Sequence, residues 1–326
     1  MDRSAVLATK IREALAPCSL AAWPTPLEAH PALARAVGMQ ALWIKREDLR
    51  GGNKVRGLEF LLSAAPPRSV FVTIGGSGST HCLATARHAR ALGFRTALAV
   101  FPQPETDASR TVGTATAATA DHVFRASSLV TFPWAVLRAW RAAHHLGAGK
   151  PRWIAGGGAD PRAVIGHFLA TLELHSQLDA PPDAIVVPLG TGGTAAGIAL
   201  GVAWLGWSTQ VVGVRVAPRI AANKWRTLRL ARAAAALIRR AGVDFSVPRA
   251  AIRVRVVDAV GKGYGYPTPE GERATAIAAE HGVRLDPTYG AKAFGVLVNG
   301  TTHPSLSAGH AFAPRNAVFW HTFPWP

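Results

Sequence analysis

Cysteine is almost missing from this chain, which carries only Cys18 and Cys82. Two distant thiols make neither a disulfide framework nor a metal site of closely spaced ligands, and they suit a reducing, cytoplasmic compartment. His144 and His145 lack ligand spacing as well, so no metal centre is expected. Long apolar runs are also lacking: none approaches the roughly 18 residues that cross a bilayer. The stretch Met1 to Lys10 has neither the basic start nor the apolar centre of a signal peptide, so no membrane association is expected. No Gly-x-Ser-x-Gly elbow occurs, which removes one common serine-hydrolase arrangement. Lysine and tyrosine are scarce, with seven and three in 326 residues.

Acidic residues are outnumbered, 19 against 36 basic ones, for a net charge of +17. Such an excess invites a nucleic-acid reading. The basic residues are scattered, however, and the densest stretch, Lys224 to Arg240, places Leu228, Leu230, Ala234 and Leu237 near helical spacing. That pattern predicts a helix with one buried face and a solvated, arginine-rich one, and no nucleic-acid partner.

About half the residues are hydrophobic, enough for one large or two medium domains. From Ser69 onward, short apolar runs alternate with helical patterns. Strands are expected at Val70–Ile74, Phe94–Phe101, Trp153–Ala155, Ile185–Leu189 and Val211–Val216. Helices are expected at Ser79–Leu92, at Pro161–Leu178 and from Thr194. This rhythm predicts an α/β fold of mostly parallel sheets with crossover helices. No flexible linker separates the halves, so a second domain must interleave with the first.

Four stretches are suited to chemistry. Gly190-Thr-Gly-Gly-Thr194 follows a strand and opens a helix, where glycines and the helix dipole favour a phosphate. Gly190, Gly192 and Ala195 also satisfy a loose dinucleotide pattern, but the next strand ends Val214-Arg215 without the acidic residue that holds a ribose. In Gly75-Gly-Ser-Gly-Ser79-Thr80-His81, Ser79 sits at a helix N-cap, where its hydroxyl and the free N–H groups suit a carboxylate. His81 and Cys82, just inside that helix, read as packing residues. Gly51-Gly52-Asn53-Lys54 gives a lysine the room an imine-forming amine needs. Tyr264 and Tyr289 lie in glycine-flanked loops, where a phenol can serve as acid or base or can simply bond buried backbone.

The order of these stretches resembles the D-cysteine desulfhydrase and 1-aminocyclopropane-1-carboxylate (ACC) deaminase family, in the tryptophan-synthase-β-like group of pyridoxal phosphate enzymes (fold type II). The most specific part is Ile44-Lys-Arg-Glu-Asp-Leu49, Gly51-Gly-Asn-Lys-Val-Arg56 and Leu58-Glu-Phe-Leu-Leu62. The likeness continues through Thr73-Ile-Gly-Gly76, Ser79/His81, Gly157-Gly158, Gly190–Thr194, Tyr264, Leu285-Asp-Pro-Thr-Tyr289 and His321-Thr322.

The resemblance implies two interleaved open-sheet α/β domains, 67–166 and 1–66 joined with 167–326, with pyridoxal phosphate in the cleft between them. It makes Lys54 the Schiff-base lysine and gives the cofactor phosphate to Gly190, Thr191, Gly192, Gly193 and Thr194. Asn53 and Thr80 border the cofactor, Ser79 approaches the substrate carboxylate, Tyr264 and Tyr289 face the reacting carbon, and Thr322 approaches the pyridine nitrogen. The implied activity is a lyase or deaminase acting on a small amino acid by α,β-elimination, working as a homodimer. The chain departs from the family at Thr80 for asparagine, Gly78 for glutamine and Gly57 for a basic residue. Its His321-Thr-Phe-Pro-Trp-Pro326 replaces His-Thr-Gly-Gly, which is expected to reshape one wall of the site. Gly290 replaces the glutamate of ACC deaminases and the threonine of desulfhydrases; without that carboxylate, desulfhydrase-like elimination is favoured over ring opening. Substitution, racemisation, a biosynthetic reaction, an NAD(P) oxidoreductase and a ligand-binding relic are the alternatives.

Overall fold

The computed structural model describes residues 2–63, 65–147, 149–300 and 312–323. Along the chain the strands are β1 (Leu27–Ala29), β2 (Ala41–Arg46), β3 (Val70–Gly76), β4 (Arg95–Phe101), β5 (His122–Arg125), β6 (Arg152–Trp153), β7 (Ala184–Leu189), β8 (Gln210–Arg215), β9 (Arg255–Asp258) and β10 (Asn316–His321). They form two sheets, one of six strands in the order β1-β2-β10-β7-β8-β9 and one of four in the order β5-β4-β3-β6. Among the described residues only β1 runs antiparallel, against β2, and every other pairing is parallel. The expected α/β class with mostly parallel strands is therefore present. All strands of the smaller sheet lie between residues 70 and 153.

β7 is buried along its whole length, as a central parallel strand covered by helices on both faces must be. The helix Gly193–Leu205 that follows it is apolar all round and lies in the same core as the helix Pro161–His175. The latter helix ends three residues before the expected Leu178, because Gln177 is drawn aside to bond Thr25 O and the Lys45 amine. The helix Lys224–Arg240 buries Thr227, Leu230, Ala231, Ala234, Ala235 and Ile238, leaves the expected Leu228 and Leu237 half-buried, and exposes Arg229, Arg232, Arg239 and Arg240, while Arg226 is half-buried. β10, absent from the sequence reading, inserts between β2 and β7 and delivers the end of the described chain to the middle of the larger sheet.

Behind the Lys54 loop lies a buried ionic network. The Arg56 guanidinium donates to both carboxylate oxygens of Glu47 at 2.7 and 2.8 Å and to Glu173 at 2.9 and 3.0 Å, and it lies 4.0 Å from the Trp23 ring centroid. Lys45 donates to Glu173 at 2.5 Å and to Thr25 O at 2.9 Å. Buried charges persist only where each is paired, so this block has one arrangement and clamps the segment that carries Lys54.

Candidate active site

Lys54 opens the helix Lys54–Leu62 directly after Gly51 and Gly52, whose φ angles of 80° and 86° lie in the left-handed region. Two such residues in succession turn the chain sharply out of the Glu47–Arg50 turn and point the lysine away from the ionic network. Asn53 makes no cap with its side chain. Its amide instead donates to Thr194 Oγ1 at 2.6 Å, while its backbone N–H donates to Thr322 O at 3.3 Å. The lysine loop, the glycine loop after β7 and the end of β10 are thus stitched together. The Lys54 amine donates to Gly157 O at 3.2 Å, and burial draws its pKa down to about 8.

The loop Gly190–Thr194 turns at Gly192 (φ 90°), which occupies the N-cap of the helix Gly193–Leu205 with no side chain capping it. A Cβ at Gly192 would stand 2.7 Å from Thr227 Oγ1, so only glycine fits here. An uncapped helix start with close backbone approach leaves its first N–H groups for an anionic guest.

Ser79 caps the helix Thr80–Ala91, its Oγ accepting from Cys82 N at 3.3 Å. Thr80 and His81 follow, 8% and 3% exposed. Thr73 Oγ1 donates its single proton to Ile154 O at 2.8 Å, so toward His81 Nε2, at 2.9 Å, it accepts. Nε2 therefore carries the imidazole proton, and Nδ1 is a bare, buried acceptor with no partner among the described residues. Burial first, then the nearby Lys54 charge, pushes the His81 pKa down to about 3, so the ring stays neutral. His81 lines the cavity with Lys54 rather than simply packing the helix. Its place as the second residue of the helix carried no signal that could separate the two; the tautomer comes from Thr73 and Ile154, far apart in sequence.

The Tyr264 and Tyr289 hydroxyls lie 2.5 Å apart. Tyr289 is held by Asp286, whose buried carboxylate accepts from the backbone N–H of Thr288, Tyr289 and Gly290. The Tyr264 loop is held by Lys292, whose amine donates to Val260 O at 2.8 Å and Gly263 O at 3.2 Å. Burial pushes the Tyr264 phenol up to about 12, and burial with the Tyr264 contact carries Tyr289 well above its ordinary value. Both are protonated donors at neutral pH.

All the residues singled out from the sequence, Asn53, Lys54, Ser79, Thr80, Gly190 to Thr194, Tyr264, Tyr289 and Thr322, line one cavity of 910 Å³. The departures from the family pattern have local causes at two positions. A Cβ at Gly57 would lie 2.8 Å from that of Ala163, and one at Gly78 would lie 2.5 Å from the Ser109 Cα. Phe323 forms part of the cavity wall, and residues 324–326 lie outside the described residues.

The family described as pyridoxal-phosphate dependent enzyme matches residues 18–322. The chain belongs to this family. Nocardicin C-9' epimerase of Nocardia uniformis subsp. tsuyamanensis is 35% identical, covering 91% of this chain and 90% of that protein. D-cysteine desulfhydrase of Salmonella newport (strain SL254) is 30% identical over 85% of this chain and 86% of its own. A crystal structure of an ACC deaminase homologue superimposes with a TM-score of 0.77 at 29% identity, covering 96% of this chain and 94% of that one. The family resemblance, the fold type II architecture, the enzyme and its cofactor, pyridoxal phosphate, are borne out; the dinucleotide reading of Gly190–Ala195 is not needed. The cavity suits that cofactor. It offers an uncapped helix start for a phosphate, an amine of lowered pKa for an aldehyde and a ring of neutral hydroxyls.

Proposed function

We propose that this family member carries out α,β-elimination on an amino acid in the manner of a D-cysteine desulfhydrase. The observation that supports this most is the opposite displacement of its proton-transfer groups. The Lys54 amine is drawn down to about 8, while the Tyr289 phenol, 2.5 Å from Tyr264, is carried well above its ordinary value. An amine so placed is partly unprotonated near neutrality and accepts the α-proton; a phenol so placed stays protonated and donates to the leaving group. Pyridoxal phosphate, when bound, supplies the electron sink for the charge left on the α-carbon.

In this reading Lys54 carries the cofactor, Gly190–Thr194 holds its phosphate, and Asn53 and Thr80 border it. Thr322 offers the pyridine nitrogen a neutral hydroxyl, which does not keep that nitrogen charged and so favours elimination over transamination. The two sheets are the cores of two domains, 67–166 and 1–66 with 167–326, and the substrate enters between them. The free thiols of Cys18 and Cys82 support a cytoplasmic setting.

Incubation of the cofactor-loaded enzyme with D- or L-cysteine tests the reaction. Sulfide and pyruvate are expected in equal amounts from one enantiomer. The base works only when unprotonated, so turnover should rise with pH through about 8 and then level off. Release of neither product from cysteine, and of no thiol from an S-substituted cysteine, overturns elimination. The 35% identical epimerase supports a second reading in which the phenol returns a proton to the α-carbon. Its mark is inversion with deuterium uptake at that carbon in heavy water and no sulfide.

Ser79 is assigned the substrate carboxylate. Ser79→Ala should weaken amino-acid binding by about 1–2 kcal/mol, the scale of one hydrogen bond to a charged group. It should also lower the melting temperature, since the same oxygen caps its helix. Cofactor affinity should be nearly unchanged, and equal substrate affinity in wild type and variant would remove the assignment.

A further inference from the structure

We infer that the substrate carries a bulky apolar group beyond its β-carbon, seated against Leu129, Ile220 and Tyr266 at the mouth of the cavity. This rests on the elimination reading, for which the corresponding substrate is the S-conjugate of a cysteine.

Leu129, Ile220 and Tyr266 are 69%, 88% and 45% exposed, and all three line the same cavity as Lys54. They come from three separate loops, each leaving the carboxyl end of a strand: β5, β8 and β9. A single exposed leucine needs no explanation, but three large apolar side chains converging on one opening mark a ligand surface. The polar groups lie deeper, with Ser79, Thr80 and His81 at 7%, 8% and 3% exposure. A three-carbon amino acid held by them would leave the mouth uncovered. Phe101 and Ala217 add further apolar surface to the same cavity. Among the described lining residues there is no carboxylate, while Lys54 and Arg226 are cations, so the distal group is neutral or anionic rather than an ammonium.

The arrangement also suits the reaction. Tyr266 stands two residues from Tyr264 in the loop that follows β9, so the wall that touches a bulky sulfur substituent is continuous with the phenol that would protonate it. In the elimination the α C–H bond breaks with its proton passing to Lys54, the Cβ–S bond breaks with its electron pair leaving on sulfur, and the tyrosine pair protonates the thiolate. Water then hydrolyses the released three-carbon enamine to pyruvate and ammonia, so one S-conjugate and one water yield one thiol, one pyruvate and one ammonia.

The test titrates the cofactor-loaded enzyme with both enantiomers of alanine, norvaline and homophenylalanine, which cannot lose a β-substituent, and reads dissociation constants from the cofactor's visible spectrum. One enantiomer series should tighten by about fourfold per buried methylene, the scale of the hydrophobic effect. The ratio between alanine and homophenylalanine should therefore exceed tenfold. In the double variant Leu129→Asp, Ile220→Asp, and separately in Tyr266→Ala, that ratio should fall below about threefold. No size dependence in wild type, or a size dependence that survives the rim variants, overturns the inference. So does a wild-type dimer that the double variant converts to monomers with the size dependence intact, since a second copy then covers the rim. Incubation with S-benzylcysteine separates the two readings. Thiol and pyruvate in equal amounts support both, whereas tight, rim-dependent binding without thiol release keeps the apolar group and overturns elimination. If no amino acid of any size perturbs the spectrum, both fall together.

Discussion

Replacing Lys54 by alanine is expected to abolish covalent retention of pyridoxal phosphate and to reduce turnover to background, while the protein stays folded. The loss should be at least the roughly 10²–10⁴-fold typical of removing a single proton-transfer group, because the same amine also tethers the cofactor. Little stability should go with it: among the described residues the amine makes one hydrogen bond, to Gly157 O, and its removal relieves a desolvated charge. Borohydride treatment followed by peptide mass mapping reads the result directly. Wild type should carry the cofactor mass on the Lys54 peptide and the variant nowhere. The other buried lysines are engaged elsewhere, Lys45 with Glu173 and Gln177 and Lys292 with Val260 O and Gly263 O, and neither lines the cavity. Cofactor mass on either of them in wild type would overturn the assignment of Lys54.

Tyr289→Phe keeps the ring and removes one of the two hydroxyls that meet at 2.5 Å. If that phenol donates the proton to the leaving group, turnover should fall by about 10²–10⁴-fold. Cofactor loading should be unchanged, because the phosphate loop and Lys54 are untouched. Tyr264→Phe should cost less rate if Tyr264 only orients its neighbour. Measuring kcat, cofactor retention and melting temperature together distinguishes this from a packing role, which would lower stability in both variants with no selective loss of rate. Equal kcat in wild type and Tyr289→Phe would sink the assignment. Lys54, as both acceptor and donor, would then be left to carry the proton.

Much of this molecule was legible in the order of its residues. Alternating apolar runs and helical patterns announced a parallel α/β fold, and the five strands expected from those runs, β3, β4, β6, β7 and β8, begin and end within two residues of them, whereas β1, β2, β5, β9 and β10 were not legible. The block from Ile44 to Arg56 was also legible as the most specific stretch, and the structure supplies the reason. Arg56, Glu47 and Lys45 belong to one buried ionic network in which each charge needs its partners, so these residue types cannot drift independently. The candidate site residues could be picked out singly for the same kind of reason: glycines beside a lysine, an uncapped helix start and two rare tyrosines have few ordinary uses.

What the linear order could not contain is everything decided by contacts across the chain. β10 pairs between β2 and β7, some 270 and 130 residues away in sequence, and this places Thr322 against Asn53. The two phenols meet only because Asp286 and Lys292 fix two separate loops. His81 became a bare acceptor through Thr73 and Ile154, since a hydroxyl with one proton can donate only once. Periodicity fixes which residues are buried within an element, but the proton on a ring nitrogen, the pKa of an amine and the apolar rim of the cavity depend on which elements meet. Those are tertiary properties, set by desolvation and by partners brought together from distant parts of the chain.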